Sequence, residues 1–194
     1  MSSIQAIAAL KEEMKREGIR PENGLGEDLF LFSSTLTPVV NVDLLVVNEK
    51  GQVLLTWRDD PHCGTGWHIP GGCIRFGETA LERAEKTAQQ EFGCGVRLEP
   101  EILHVFEIFT RHERPIKDQN ERSHFVTLVL AGLAPADFDT ENQTVQPGQP
   151  GFMKWFSTLP DELLQVQNCY REQWQTIQTK LKSKFCIGDL MGCV

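Results

Sequence analysis

No Cys-x-x-Cys pair occurs among the six cysteines at 63, 73, 94, 169, 186 and 193, and none groups with histidine at zinc-like spacing. A zinc ribbon and a thioredoxin-type redox motif are thereby excluded, and scattered cysteines in a chain of 194 residues read as reduced thiols. Gly-x-Gly-x-x-Gly and Gly-Lys-Ser/Thr are also absent, which removes the dinucleotide and P-loop phosphate cradles. No stretch reaches the roughly 20 apolar residues that a bilayer-spanning helix needs, so no membrane partner is expected. The first apolar run is short and followed at once by Lys11, Glu12, Glu13, Lys15 and Arg16, unlike a signal peptide, and a cytoplasmic location is expected. Positive charge is scarce too: 19 Lys and Arg stand against 27 Asp and Glu, for a net charge of −8. That balance argues against a nucleic-acid partner, but not against a nucleotide, because a bound cation reverses the local field. Internal repeats and low-complexity segments are lacking.

What is present fits one globular domain with an extension. Ile4, Ile7, Ala8, Leu10 and Met14 recur at helical spacing, and Gly18 and Pro21 end that helix. Residues 1–24 therefore read as a helical extension and linker that packs on the domain or on a second subunit. The domain proper is expected over residues 25–185, with 186–194 as a tail. Residues 38–47 are β-branched and apolar, with Asp43 inside the strand. Asn48 to Gly51 make a hairpin turn, and Gln52 to Trp57 return. Short strands are expected at Trp67–Ile69 and Ile74–Phe76. A helix then starts near Thr79, with Leu81, Ala84, Ala88 and Phe92 as its apolar stripe and Gly93 as its stop. Further strands are predicted at about 100–110, 124–132 and 152–156, a helix with Pro160 in its first turn after Ser157, and a last helix from Gln173 to Lys184. Arg111 to Arg122 reads as a charged loop. The order of elements makes an α+β, α/β/α sandwich.

The segment that carries chemistry runs from Gly71-Gly72-Cys73-Ile74-Arg75-Phe76-Gly77-Glu78 into the helix ending Lys86-Thr87-Ala88-Gln89-Gln90-Glu91-Phe92-Gly93. A glycine turn here leads into an amphipathic helix that brings carboxylates near the turn. Glu91 and Thr87 lie four apart on one helix face, and Glu78 sits where a helix dipole favours a carboxylate. Magnesium accepts one or two carboxylates plus substrate phosphates, and a carbonyl at Gly71 meets no side chain of its own.

This pattern resembles the Nudix box: Gly, five residues, Glu, seven residues, then Arg-Glu-apolar-x-Glu-Glu-x-Gly-apolar. Gly72, Glu78, Ala88, Glu91, Gly93 and Cys94 fall on it, while Lys86, Thr87 and Gln90 stand where it has Arg, Glu and Glu. The resemblance implies a Nudix-type sandwich with a mixed sheet and a magnesium-dependent hydrolase, with manganese as the alternative metal. Within the family, Thr37-Pro38, Asp43, Leu54 to Arg58, Gly66 to Gly72, Ser123 to Val126 and Gln149 are similar to the GDP-mannose mannosyl hydrolase group, over about residues 26–157. That group's box is also short of carboxylates; it uses one metal ion and substitutes at the sugar carbon.

The similarity implies Gly71, Glu91 and Gln149 as metal ligands. It implies Arg58 facing the diphosphate, Asp43 and His124 lining the substrate pocket, and Lys86 with Glu78 in the catalytic helix. Arg75 is a further phosphate contact, since Cys73 stands where the group has an arginine. Pro150 stands where it has its histidine base, with His62 and His112 as possible replacements. The expected substrate is a small nucleoside diphosphate sugar of GDP-mannose type, the expected assembly a homodimer. Two alternatives stay open: a pyrophosphatase attacking phosphorus, and a catalytically silent nucleotide-sugar-binding domain.

Overall fold

The apolar run at 39–47 becomes the spine of the molecule. In the computed structural model, which describes residues 2–60, 63–110, 121–141 and 143–187, this strand β1 (Val39–Val47) is buried without interruption from Val42 to Val47. A strand apolar on both faces needs cover on both faces, and it receives it. On one side Val42, Leu44, Val46 and Leu130 pack against Ala84, Ala88 and Phe92 of helix α3 (Ala80–Phe92). On the other, Leu45, Val47 and Val129 pack against Tyr170, Trp174, Ile177, Leu181 and Phe185 of helix α4 (Cys169–Phe185). The result is an α/β/α sandwich around a mixed eight-stranded sheet.

Strand pairing creates the opening that matters. β1 runs parallel to β7 (His124–Leu133) over its whole length. It meets β2 (Val53–Asp60) only at Val47↔Val53 before the two diverge. β2 instead pairs with β3 (Gly64–His68) and, further along the chain, with β8 (Met153–Phe156). The vacated flank of β1 is taken by the three-residue strand β4 (Gly71–Cys73), antiparallel at Asn41 to Asp43. A wedge therefore opens between β1–β4 and β2–β3. On the far side of the sheet, β5 (Arg97–Leu98) and β6 (His104–Phe109) pair with β7.

Helix α3 starts and stops where its sequence signals place it. Thr79 caps it in a capping box with Glu82, and Gly93 closes it at φ 68°, a left-handed conformation that favours glycine. Three expectations fail. Ile74 to Phe76 is a turn instead of a strand. Glu78 N–H donates to the Arg75 carbonyl and Glu78 Oε2 accepts from Arg75 N–H, with Gly77 at φ 77°. Residues after Ser157 do not form a helix, because their backbone is spent on β3. Trp67 N–H donates to Glu162 O and Leu164 N–H to Trp67 O, so after a turn closed by Leu163 N–H to Pro160 O the chain bridges β3 before the short 3₁₀ turn at Gln165–Gln167. Cys186 is disulfide-bonded, against the expectation of thiols throughout, while Cys63, Cys73, Cys94 and Cys169 are in no disulfide.

The first 36 residues are unlike the rest. Helix α1 (Ser3–Arg16) is amphipathic but buries nothing, with Ile4 81% and Ile7 54% exposed. Beyond it, glycines at φ 101° (Gly24) and 75° (Gly26) turn the chain into a helix not foreseen in the sequence, α2 (Glu27–Ser34), with Glu27 and Asp28 in its first turn. Ser34 Oγ accepts from Arg122 N–H at 2.8 Å and ties this segment to the start of β7.

Candidate active site

The wedge holds a cavity of about 180 Å³, lined among others by Asn41, Asp43, Arg58, His68, Gly71, Gly72, Cys73, Phe125, Thr127 and Gln167. Its floor is a buried carboxylate. Asp43 points away from α3, where the two-residue alternation of β1 puts it with Leu45 and Val47. Oδ2 accepts from Tyr170 Oη at 2.8 Å and Gln167 Nε2 at 3.2 Å, and Oδ1 accepts from Asn41 Nδ2 at 2.7 Å. Burial pushes its pKa up to about 6, against the opposing effect of those three donors and of Arg58. Across the wedge His68 is pushed down to about 4, chiefly by burial and then by Arg58. Its ring is held by Thr56, so it is neutral at pH 7.

Gly71 is required by a close approach. A Cβ there would stand 2.4 Å from Asp43 Oδ1 and 2.5 Å from the Val42 carbonyl. The ladder also frees its carbonyl. Leu44 N–H is bonded to Pro70 O and Ile74 N–H to Val40 O, so in the antiparallel alternation Gly72 faces β1 and Gly71 turns its carbonyl outward. Beneath β4 runs a row of α3 side chains spaced four apart: Arg83, Thr87 and Glu91. A Cβ on Gly72 would lie 3.3 Å from Arg83 Cδ and 3.5 Å from Thr87 Oγ1, so β4 packs closely over the row. Thr87 Oγ1 is buried with no hydrogen-bond partner. Glu91 is half-buried, and burial raises its pKa, opposed only by the charge of Arg58. Arg58 is itself 2.8 Å from Asp60, and its charge acts on Asp43, His68, Cys73 and Glu91 alike, which makes it the electrostatic centre of the wedge.

Of the residues singled out in the sequence, the structure brings Asp43, Arg58 and Gly71 into the cavity lining and sets Glu91 within the field of Arg58. Others stand apart. Lys86 Nζ holds Glu78 Oε1 at 2.7 Å, and the Glu78 side chain, 4% exposed, also meets Arg75 N–H and the Arg83 guanidinium. Burial raises the Glu78 pKa, but the Lys86 hydrogen bond and these neighbours outweigh it and hold the group below the usual carboxylate range. The pair pins the box turn; it does not face the cavity. His124 lies on the opposite face of β7 from Phe125 and Thr127, stacked on Phe109 at 4.3 Å and 3.2 Å from Glu107. Its placement therefore disagrees with a role in lining the substrate pocket. The Gln149 side chain is exposed and accepts from Gln146 N–H at 3.2 Å within its own turn, so as a metal ligand it would first have to release that bond. Arg75 lines a separate pocket against Gly24. His62 and His112 lie outside the described residues, as does most of the charged loop at 111–122.

The sequence reading missed Asn41, Gln167 and Tyr170. The last two come from beyond the span of the resemblance. The signal was there in part: Tyr170, Trp174, Ile177, Leu181 and Phe185 continue one helical stripe past the predicted start at Gln173.

The NUDIX domain profile matches residues 37–176, which is most of the chain. The chain belongs to the Nudix family. Among curated relatives, this Nudix chain is 30% identical to a Bacillus subtilis protein named "Putative 8-oxo-dGTP diphosphatase", over 72% of this chain and 84% of that one. It is 29% identical to the low-salt glycan biosynthesis protein Agl8 of Haloferax volcanii over 50% of this chain, a match that spans only 61% of Agl8. Among solved structures, a UDP-X diphosphatase is similar with a TM-score of 0.51 at 17% identity, covering 93% of this chain and 81% of that one. A MutT Nudix hydrolase from Burkholderia pseudomallei gives a TM-score of 0.50 at 24% identity, covering 71% and 98%. At these identities the structures establish the fold.

Nudix hydrolases generally use a divalent metal such as magnesium, and the oxygen donors beside the wedge are few: the Gly71 carbonyl in its lining, and Thr87 and Glu91 on the α3 row beneath β4. Among the described residues no three His, Cys, Asp or Glu side chains group closely enough to hold a metal. The Gly71 carbonyl, the Glu91 carboxylate and the partnerless Thr87 hydroxyl are oxygen donors of the kind magnesium takes, leaving positions for phosphate oxygens and water.

Proposed function

We propose that this Nudix protein is a divalent-cation-dependent hydrolase of a nucleoside diphosphate-linked compound, a nucleotide sugar as the preferred class, cleaving at phosphorus. The observation that carries the reading is Glu91. It is the one carboxylate left on the α3 row beneath Gly72, half-buried, with Arg58 as its only charged influence. A bound cation would neutralise Glu91 and polarise the phosphoryl oxygens. The remaining work falls to side chains of the chain itself. Arg58 supplies a positive field over the wedge and orients the diphosphate. Asp43, tied to Asn41, Gln167 and Tyr170, holds the cavity floor, and Phe125 and Ile108 offer apolar wall for a base or sugar ring. Lys86 and Glu78 keep the box turn in register with the helix. Cleavage at phosphorus agrees with the name of the Bacillus subtilis relative, a diphosphatase.

A second reading, cleavage at the sugar carbon of a GDP-mannose-type substrate, is favoured by one feature: with Thr87 and Gln90 replacing carboxylates, Glu91 alone remains for a single ion. The placements of His124 and Gln149, and Pro150 in place of a base, weigh against it. Turnover of nucleotide sugars in ¹⁸O-water decides between them. Label in the nucleoside monophosphate or the sugar phosphate supports attack at phosphorus. Label in free sugar, released with nucleoside diphosphate, would replace the first reading with the second, and binding without turnover across the panel would overturn both.

A further inference from the structure

A second pocket, of about 550 Å³, lies on the other side of β4, between the N-terminal segment and the box turn. Its walls carry Arg75, Arg83 and Arg122 against one carboxylate, Glu27. In a chain of net charge −8 this is a local excess of about two positive charges. The Arg75 guanidinium lies 3.7–3.9 Å from where a Cβ would stand on Gly24, so the glycine turn of the N-terminal segment closes directly over it. Arg122 sits at φ 49°, uncommon for a residue with a side chain, and its guanidinium is 5.6 Å from the Phe30 ring of α2.

Arg83 is the observation that points to a ligand. It is buried, its side chain only 5% exposed, and its Nε and Nη2 have no hydrogen-bond partner. Its nearest carboxylate oxygen, Glu78 Oε2, is 3.5 Å from Nε outside hydrogen-bond geometry, and Glu78 is already neutralised by Lys86. A buried guanidinium with unspent donors is costly, and a folded protein keeps one where something supplies acceptors.

We infer that this pocket is an anion site that takes a phosphomonoester or inorganic phosphate dianion between Arg83 and Arg75. A phosphate group carries about −1.5 to −2 charge and three acceptor oxygens, which matches the excess charge and the partnerless donors of Arg83. The inference stands apart from the hydrolytic reading, because the site uses neither Glu91 nor a metal and is roofed by residues that precede the matched Nudix segment.

The probe is inorganic phosphate, titrated into the full chain in EDTA and followed by calorimetry and thermal unfolding. Wild type and the Glu91→Gln variant should bind it equally and melt higher with it. Arg83→Met and Arg75→Gln should each weaken binding roughly 10–100-fold, the loss of charge-assisted hydrogen bonds. Arg75 lies at the pocket surface, so its variant reports on binding even if Arg83→Met does not fold. Absence of phosphate binding by wild type, its loss in Glu91→Gln, or its survival in Arg75→Gln would overturn the proposal. Under turnover with magnesium, competitive inhibition by phosphate would identify the occupant as a phosphorylated end of the substrate. Binding that leaves KM unchanged would identify a separate phosphorylated ligand.

Discussion

The two pockets that flank β4 share Cys73 and Arg122 but are built on opposite electrostatic plans. On the floor of the wedge, the buried ionisable groups are satisfied. Asp43 has three donors, His68 is held neutral, and the Arg58 guanidinium acts on both. In the arginine pocket, three guanidinium groups converge and the most buried of them is left without hydrogen bonds. The difference follows from what builds each one. The wedge is closed by the C-terminal segment that α4 anchors in the core. The arginine pocket is closed by a segment whose first helix buries no residue. A satisfied buried network fixes geometry, whereas an unsatisfied one stores affinity for a ligand.

The comparison is broken most severely at Glu91. Glu91→Gln should lower metal-dependent turnover by about 10²-fold or more, ~3 kcal/mol of barrier, with the folded state intact by circular dichroism. Next in size is a pair of opposed pH effects on stability. Asp43 has its folded pKa raised from 3.8 to about 6, so its contribution is full below about pH 4 and is lost as pH rises through 6. His68 has its folded pKa lowered from 6.5 to about 4, so its contribution is full above 6.5 and is lost as pH falls toward 4. Each swing is worth up to ~3 kcal/mol, and in the wild type the two largely cancel. Denaturant melts between pH 4 and 6.5 should show stability rising with pH in Asp43→Asn and falling with pH in His68→Gln. Equal slopes in the two variants would contradict the assignment.

Tyr170→Phe comes third. Removing the hydroxyl 2.8 Å from Asp43 should cost about 1–3 kcal/mol at pH 7 and raise the Asp43 pKa further, moving the stability loss of the wild-type floor to higher pH. The smallest effect is on the other side of β4. Without phosphate, Arg83→Met should change stability by no more than about 1 kcal/mol, because Arg83 makes no hydrogen bond and Lys86 keeps Glu78 paired when the 3.5 Å Arg83 contact is lost. A loss comparable to that of Tyr170→Phe would show that both pockets are structural networks of one kind.

Much of the fold was legible because its signals are local. Thr79 and Gly93 bracket α3 by capping chemistry, and the unbroken apolar run of β1 announces a strand covered on both faces. What failed depended on tertiary pairing: no local signal shows that Glu162 and Leu164 bond to Trp67, or that Arg75 and Glu78 close a turn. The site divides in the same way. Gly71 and Glu91 are fixed by spacing along one turn and one helix. Tyr170 and Gln167 reach Asp43 across 127 and 124 residues of sequence and could be found only once α4 was docked. His124 misled because the alternation of β7, which places it opposite Phe125, was not carried through to the cavity.

The proposal to be tested is that a divalent cation is held beside the wedge only jointly with the substrate's phosphates, since Glu91 is the one carboxylate on the α3 row. Manganese binding followed by electron paramagnetic resonance, with and without a non-hydrolysable nucleoside diphosphate analogue, tests it without relying on turnover. Weak binding by the protein alone is expected, tightened by about tenfold or more when the analogue is present, with that tightening lost in Glu91→Gln. Tight manganese binding without the analogue, or tightening that persists in Glu91→Gln, would contradict it.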